Sequence, residues 1–169
     1  MAKRQKSKII QMLPIIGALF GLISLVMMFL PAISIKETEV TYTGWQTAFG
    51  YAQAGLFGER IIFNFSLVLF IGFVIAVAAV VFTLFHLFSP KNNSFALLAV
   101  GCFVVSALCF FLQIQFLSVG DGFLSELVGS YLNPELAKET MQLGIGAIIG
   151  GITAVFGAVS CALPILLKN

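Results

Sequence analysis

Charge is what this sequence has least of. Only 9% of its 169 residues are Asp, Glu, Lys or Arg, while 60% are hydrophobic. Soluble domains run nearer ~25% charged and ~45–50% apolar, so this composition belongs to the bilayer. A soluble domain of this length has too little interior to hide so much apolar side chain. Disorder is excluded too, because unfolded chains are polar and highly charged. Cysteine is scarce, at three residues, which excludes a disulfide-rich scaffold. All three (Cys102, Cys109 and Cys161) fall inside apolar runs, leaving the loops no disulfide. Histidine is scarcer still: His86 stands alone.

The charges that exist divide the chain. None lies between Lys8 and Lys36, Arg60 and Lys91, Lys91 and Asp121, or Glu139 and Lys168. Each silent run exceeds the ~20 apolar residues that a membrane helix needs. The reading is a four-transmembrane-helix bundle with spans 9–30, 61–88, 94–117 and 141–167 in a single membrane domain. Helices are required because lipid offers no partner to a strand's backbone groups, and continuous apolar runs do not fit the alternation of a barrel.

Orientation follows from the flanks. Lys3, Arg4, Lys6, Lys8, Lys91 and Lys168 lie on one side with no acid. The opposite loops hold all seven acids beside Lys36, Arg60 and Lys138. By the positive-inside rule both termini are cytoplasmic, the turn 89–93 is internal, and loops 31–60 and 118–140 are external. The first span, at 22 residues, is longer than a signal peptide's apolar core of ~7–15, so it reads as a retained anchor. The basic N-terminus is too short for a nucleic-acid module and suits anionic lipid.

The outer loops read as a small cap on this otherwise all-α protein. Residues Ile33 to Thr43 are rich in β-branched side chains with short-range alternation, which predicts a strand or hairpin. Trp45, Phe49, Ala52 and Leu56 then recur at helical spacing among glycines, an interfacial aromatic segment. In loop 2, Phe123, Leu124, Leu127, Val128, Tyr131 and Leu132 form one face of a short amphipathic helix. Asn133-Pro134-Glu135 is a helix start, predicting one long helix from Pro134 to Leu167, with a break near Gly144-Ile145-Gly146 as the alternative. Tyr42, Trp45, Tyr51 and Tyr131 form an outer aromatic surface, either membrane-interface anchors or a binding face.

The fourth span carries the clearest pattern. Gly146, Gly150, Ala154, Ala158 and Ala162 repeat every four residues, echoed by Gly17 and Gly21 in the first span and Gly72 and Ala76 in the second. Small residues at this spacing let helix backbones approach closely, either inside this bundle or against another subunit. Asn64, Gln113, Gln115 and Gln142 fall near the outer ends of their spans, as an outer polar cluster or as interhelical hydrogen bonds.

Chemistry meets a topological objection. The histidine reads as internal, the thiols as intramembrane and every carboxylate as external. A base must reach its partner by hydrogen bond, and ~30 Å of hydrocarbon separates these groups. Cys102, Cys109, Cys161 and His86 lack the second shell a metal site needs. Glu37, Glu39, Asp121 and Glu135 read as solvated charge, with cation binding the alternative. The sequence contains no H-E-x-x-H, G-x-S-x-G, P-loop or dinucleotide fingerprint. No catalytic residue, metal or cofactor is expected.

The layout resembles that of claudin-like four-span proteins in three respects. These are internal termini, a larger β-prone first outer loop with Gly44-Trp45, and Arg60 opening the second span. The Cys pair expected in that loop is missing, so the likeness is one of architecture. The chain is also similar to small four-span proteins of bacteria, which implies a bacterial-type plasma membrane. The expected function is non-enzymatic: association, as a self-assembling scaffold or an accessory subunit of a larger membrane complex. The alternative is a transporter or channel component or a binder of lipid or small ligands, with a membrane enzyme third.

Overall fold

A computed structural model describes residues 2–36, 40–55, 58–89, 93–120 and 138–168. The elements run α1 (Ala2–Met27), β1 (Pro31–Ile35), β2 (Thr41–Thr43), α2 (Gly44–Phe49), β3 (Tyr51–Gly55), β4 (Gly58–Phe63), α3 (Leu67–Phe88), α4 (Asn93–Phe111), α5 (Gln113–Phe116), β5 (Met141–Leu143) and α6 (Ile145–Lys168). The chain is mostly helical. Three helices, Leu67–Phe88, Asn93–Phe111 and Ile145–Leu167, are long and apolar enough to cross a membrane. The apolar part of α1 is the shorter Met12–Met27. The chain packs as two compact units.

The helical unit comprises residues 1–26, 72–108 and 150–169. Most of its buried positions are small, among them Gly17, Gly21 and Ser24 on α1, Ala76, Ala79 and Thr83 on α3, Ala96, Ala99 and Ala107 on α4, and Ala154, Ala158 and Cys161 on α6. Phe103 is the one large ring at its centre, buried among Ala79, Ala99, Ala154 and Ala158. The exposed faces carry the bulk instead, with Leu19, Leu22, Val77, Val81, Leu97, Val104, Ile152 and Val155 turned outward. A soluble bundle does the opposite. Helices that meet in lipid gain from close contact and not from hiding apolar surface, so small residues face in.

The sheet unit comprises residues 27–71 and 109–149 and has its own core of Ile33, Ile35, Tyr42, Ala48, Ile62, Phe63, Leu69, Leu117 and Met141. One sheet has the order β2-β1-β5, all antiparallel, with Ile33 opposite both Tyr42 and Leu143. The other is the β3–β4 hairpin. Segment 118–120 continues beside β4 through Asn64 N to Ser118 O and Gly120 N to Ile62 O, both 2.9 Å.

Four boundaries correct the sequence reading. Ile61, Ile62 and Phe63 belong to β4, so the second apolar helix begins at Leu67. The third stops at Phe111, followed by a turn at Leu112 and the separate α5. The fourth run opens as β5, and its helix begins at Ile145. One continuous helix from Pro134 to Leu167 is therefore not formed; the break falls at Gly144. There Gly144 N donates to Ala32 O at 2.8 Å, and a Cβ would stand 2.5 Å from Pro31 O. The aromatic segment expected over 45–56 divides into the single turn-and-a-half of α2 and then β3. Gly50, at φ 89°, makes that switch in a conformation side chains rarely adopt. The amphipathic helix expected in loop 2, together with Glu37, Glu39, Asp121, Glu135 and Tyr131, lies outside the described residues.

Candidate functional site

In the helical unit the small-residue positions are occupied by this chain's own side chains. A Cβ on Gly17 would stand 2.9 Å from the Cys161 Sγ, and one on Gly21 would meet Val80 and Phe103 at 2.7 and 2.9 Å. Gly157 packs against the same Phe103 ring, at 2.8 Å from such a Cβ. Gly150 contributes its carbonyl, which accepts from Ser24 Oγ at 3.1 Å and from Thr153 Oγ1 at 3.0 Å. Thr83 Oγ1 donates to Ala79 O at 2.7 Å and lies 3.5 Å from the Cys161 Sγ. These hydroxyls satisfy themselves on helix carbonyls, the cheapest arrangement where water is absent. Gly72 and Ala76 are likewise buried, and His86 is buried at the last turn of α3. Cys102 and Cys109 are half-buried free thiols. Gly146 belongs to the sheet unit, where a Cβ would stand within 3 Å of the Met27, Leu30 and Pro31 carbonyl oxygens. That contact needs glycine.

Asn64, Gln113, Gln115 and Gln142 all lie in the sheet unit, Gln113 buried and the other three exposed. Gln113 is 4% exposed, and its Nε2 donates to Thr47 Oγ1 at 2.6 Å. Thr47 Oγ1 in turn donates to Gly44 O at 2.8 Å, tying α5 to α2. Asn64 is exposed and donates to Val119 O at 3.3 Å. Gln115 is exposed, and its backbone carbonyl accepts from Lys138 Nζ at 3.2 Å. Gln142 is exposed on β5. Thr47 carried no sequence signal of its own: its role comes from a helix too short to be read from periodicity.

The aromatic residues sort into two groups. Tyr42 is buried, edge-on to Phe63 at 4.7 Å and 6.0 Å from the Tyr51 ring, so it belongs to the core and not to an outer surface. Trp45 remains at the surface, within a row of aromatic rings. Its ring stacks on Phe29 at 5.6 Å and on Phe49 at 3.9 Å, Phe49 meets Phe70 edge-on at 5.5 Å, and Phe70 meets Phe65 at 5.6 Å. Phe29, Trp45 and Phe65 are 57%, 40% and 51% exposed. The row is held locally. Thr43 caps α2 with a reciprocal pair to Gln46, at 3.2 and 2.9 Å, and Trp45 N donates to Met28 O at 2.9 Å. Ser66 fixes the entry to α3, donating to Phe116 O at 2.7 Å and accepting from Leu69 N at 3.4 Å.

Every buried side-chain nitrogen and oxygen among the described residues has a hydrogen-bond partner. No group of three or more His, Cys, Asp or Glu gathers among them to hold a metal ion. The chain matches no family model, no curated protein and no solved structure.

Proposed function

We propose that this chain is a non-enzymatic integral membrane protein that acts by association, as a self-assembling scaffold or as an accessory subunit of a larger membrane complex. In this reading α1, α3, α4 and α6 all cross a bacterial-type plasma membrane. Both termini are cytoplasmic, and the basic N-terminal flank meets anionic headgroups. The observation that carries the reading is the sheet unit. A chain that only had to occupy lipid needs no second core assembled from two separate stretches of sequence, with a hairpin standing on its surface. On that hairpin Ala52, Gln53, Ala54, Glu59 and Arg60 are exposed, a mixed polar surface of the kind transient partners use.

The small-residue face of α6 is spent inside the bundle, so the surface for partners is the hairpin. Cross-linking in the native membrane, followed by purification in mild detergent, tests this. The expected result is a discrete cross-linked species larger than the monomer that disappears on reversing the hairpin charges (Glu59→Lys with Arg60→Glu). A chain that cross-links to nothing, or one whose cross-links ignore the reversal, overturns the reading.

A further inference from the structure

We infer that the row Phe29–Trp45–Phe49–Phe70–Phe65 is a lipid-contact surface whose occupant is the headgroup and glycerol layer of a phospholipid bilayer. Three observations converge on it. First, the row joins the points where apolar helices end: Phe29 lies two residues past α1, and Phe65 two residues before α3. Second, it is continuous with apolar surface that only lipid suits. Leu30 is exposed beside Phe29, and Leu67, Val68 and Ile71 are exposed on the first turns of α3, a helix long and apolar enough to cross a membrane. Third, the row falls in charge-free stretches of sequence. No charged residue lies between Lys8 and Lys36, which bracket Phe29, between Glu39 and Glu59, which bracket Trp45 and Phe49, or between Arg60 and Lys91, which bracket Phe65 and Phe70.

The chemistry fits that layer more closely than hydrocarbon or water. Indole presents a large apolar body and one N–H donor, so it settles where acyl chain meets ester carbonyl. Stacking on Phe29 and Phe49 fixes the ring's tilt and limits the rotamer entropy lost on immersion. Sequence alone grouped Trp45 with Tyr42; the structure sends Tyr42 into the core and supplies phenylalanines in its stead.

Trp45 is the only tryptophan in the chain, so the native protein carries its own depth gauge. The full chain is reconstituted at high dilution in phosphatidylcholine vesicles. Their lipids carry bromine either near the glycerol end of the acyl chain or near its terminal methyl. The expected result is emission shifted to the blue and quenched at least about twofold more by the shallow bromine than by the deep one, as residence at the headgroup level requires. Aqueous iodide quenches it weakly, and Trp45→Phe removes the signal. Dominant quenching by iodide means the row faces water and overturns the assignment. Dominant quenching by the deep bromine means it lies in hydrocarbon and does the same. Protection from both quenchers at high dilution means that protein covers the row, and this too overturns it.

Discussion

Gln113 and Gln115 stand one residue apart in the same short helix and meet opposite environments. Gln113 is buried with its amide on Thr47, whereas Gln115 points to the exterior. Gln113→Leu removes the donor that Thr47 accepts and detaches α5 from α2. The expected cost is about 1–3 kcal/mol, the usual penalty when one member of a buried hydrogen-bonded pair is deleted. Gln115→Leu should stay within about 0.5 kcal/mol, as surface changes do. Unfolding in mixed micelles measures both, and equal losses would remove the structural role from Gln113. Sequence set these two side chains at one polar level because it assumed that the third span continued through both. The turn at Leu112 re-aims them, and nothing in the apolar run around it signals a turn.

At the scale of the element, α6 has two faces of different make. Gly150, Ala154, Ala158 and Cys161 face inward, while Ile148, Ile152, Val155, Phe156 and Val159 face outward. The four-residue repeat of small side chains was plain in the sequence; whether it served this bundle or another subunit was not, because both uses need the same spacing. Ala154→Leu is therefore a packing mutation, expected to destabilise by about 1–3 kcal/mol through overpacking against Phe103 and its neighbours. Val155→Leu, one residue on, should change stability by less than about 0.5 kcal/mol. Thermal inactivation of the detergent-solubilised protein, followed by the fraction remaining soluble, checks the pair; a benign Ala154→Leu would mean this face is not packed within the chain. The apolar segments themselves were legible, but their ends were not. Ile61-Ile62-Phe63 and Met141-Gln142-Leu143 extend apolar runs without a break, and a short β-branched or apolar stretch suits a strand as well as a helix. Their identity is settled by their strand partners: Tyr51 across a local hairpin for Phe63, and Ile33, far back in the chain, for Leu143.

For the whole molecule, the uneven distribution of charge makes a topological prediction. A cysteine introduced by Gln53→Cys on the exposed hairpin should react with a membrane-impermeant maleimide in intact cells, whereas Ala2→Cys should react only after the membrane is opened. The reverse pattern would invert the orientation, and labelling of both in intact cells would exclude four spans. The native thiols, half-buried or buried within helices, give little background. The order β2-β1-β5 also imposes a schedule on synthesis. β2 follows β1 almost at once, so one edge of the central strand closes as a local hairpin. The other edge waits for Leu143, made 110 residues after its partner Ile33. At ribosomal speeds that interval is on the order of ten seconds, during which a bare strand edge is open to any other chain. The nascent protein is thus most exposed to mispairing while α3 and α4 are being made, and a chain stopped before residue 141 would keep that edge open for as long as it lasted.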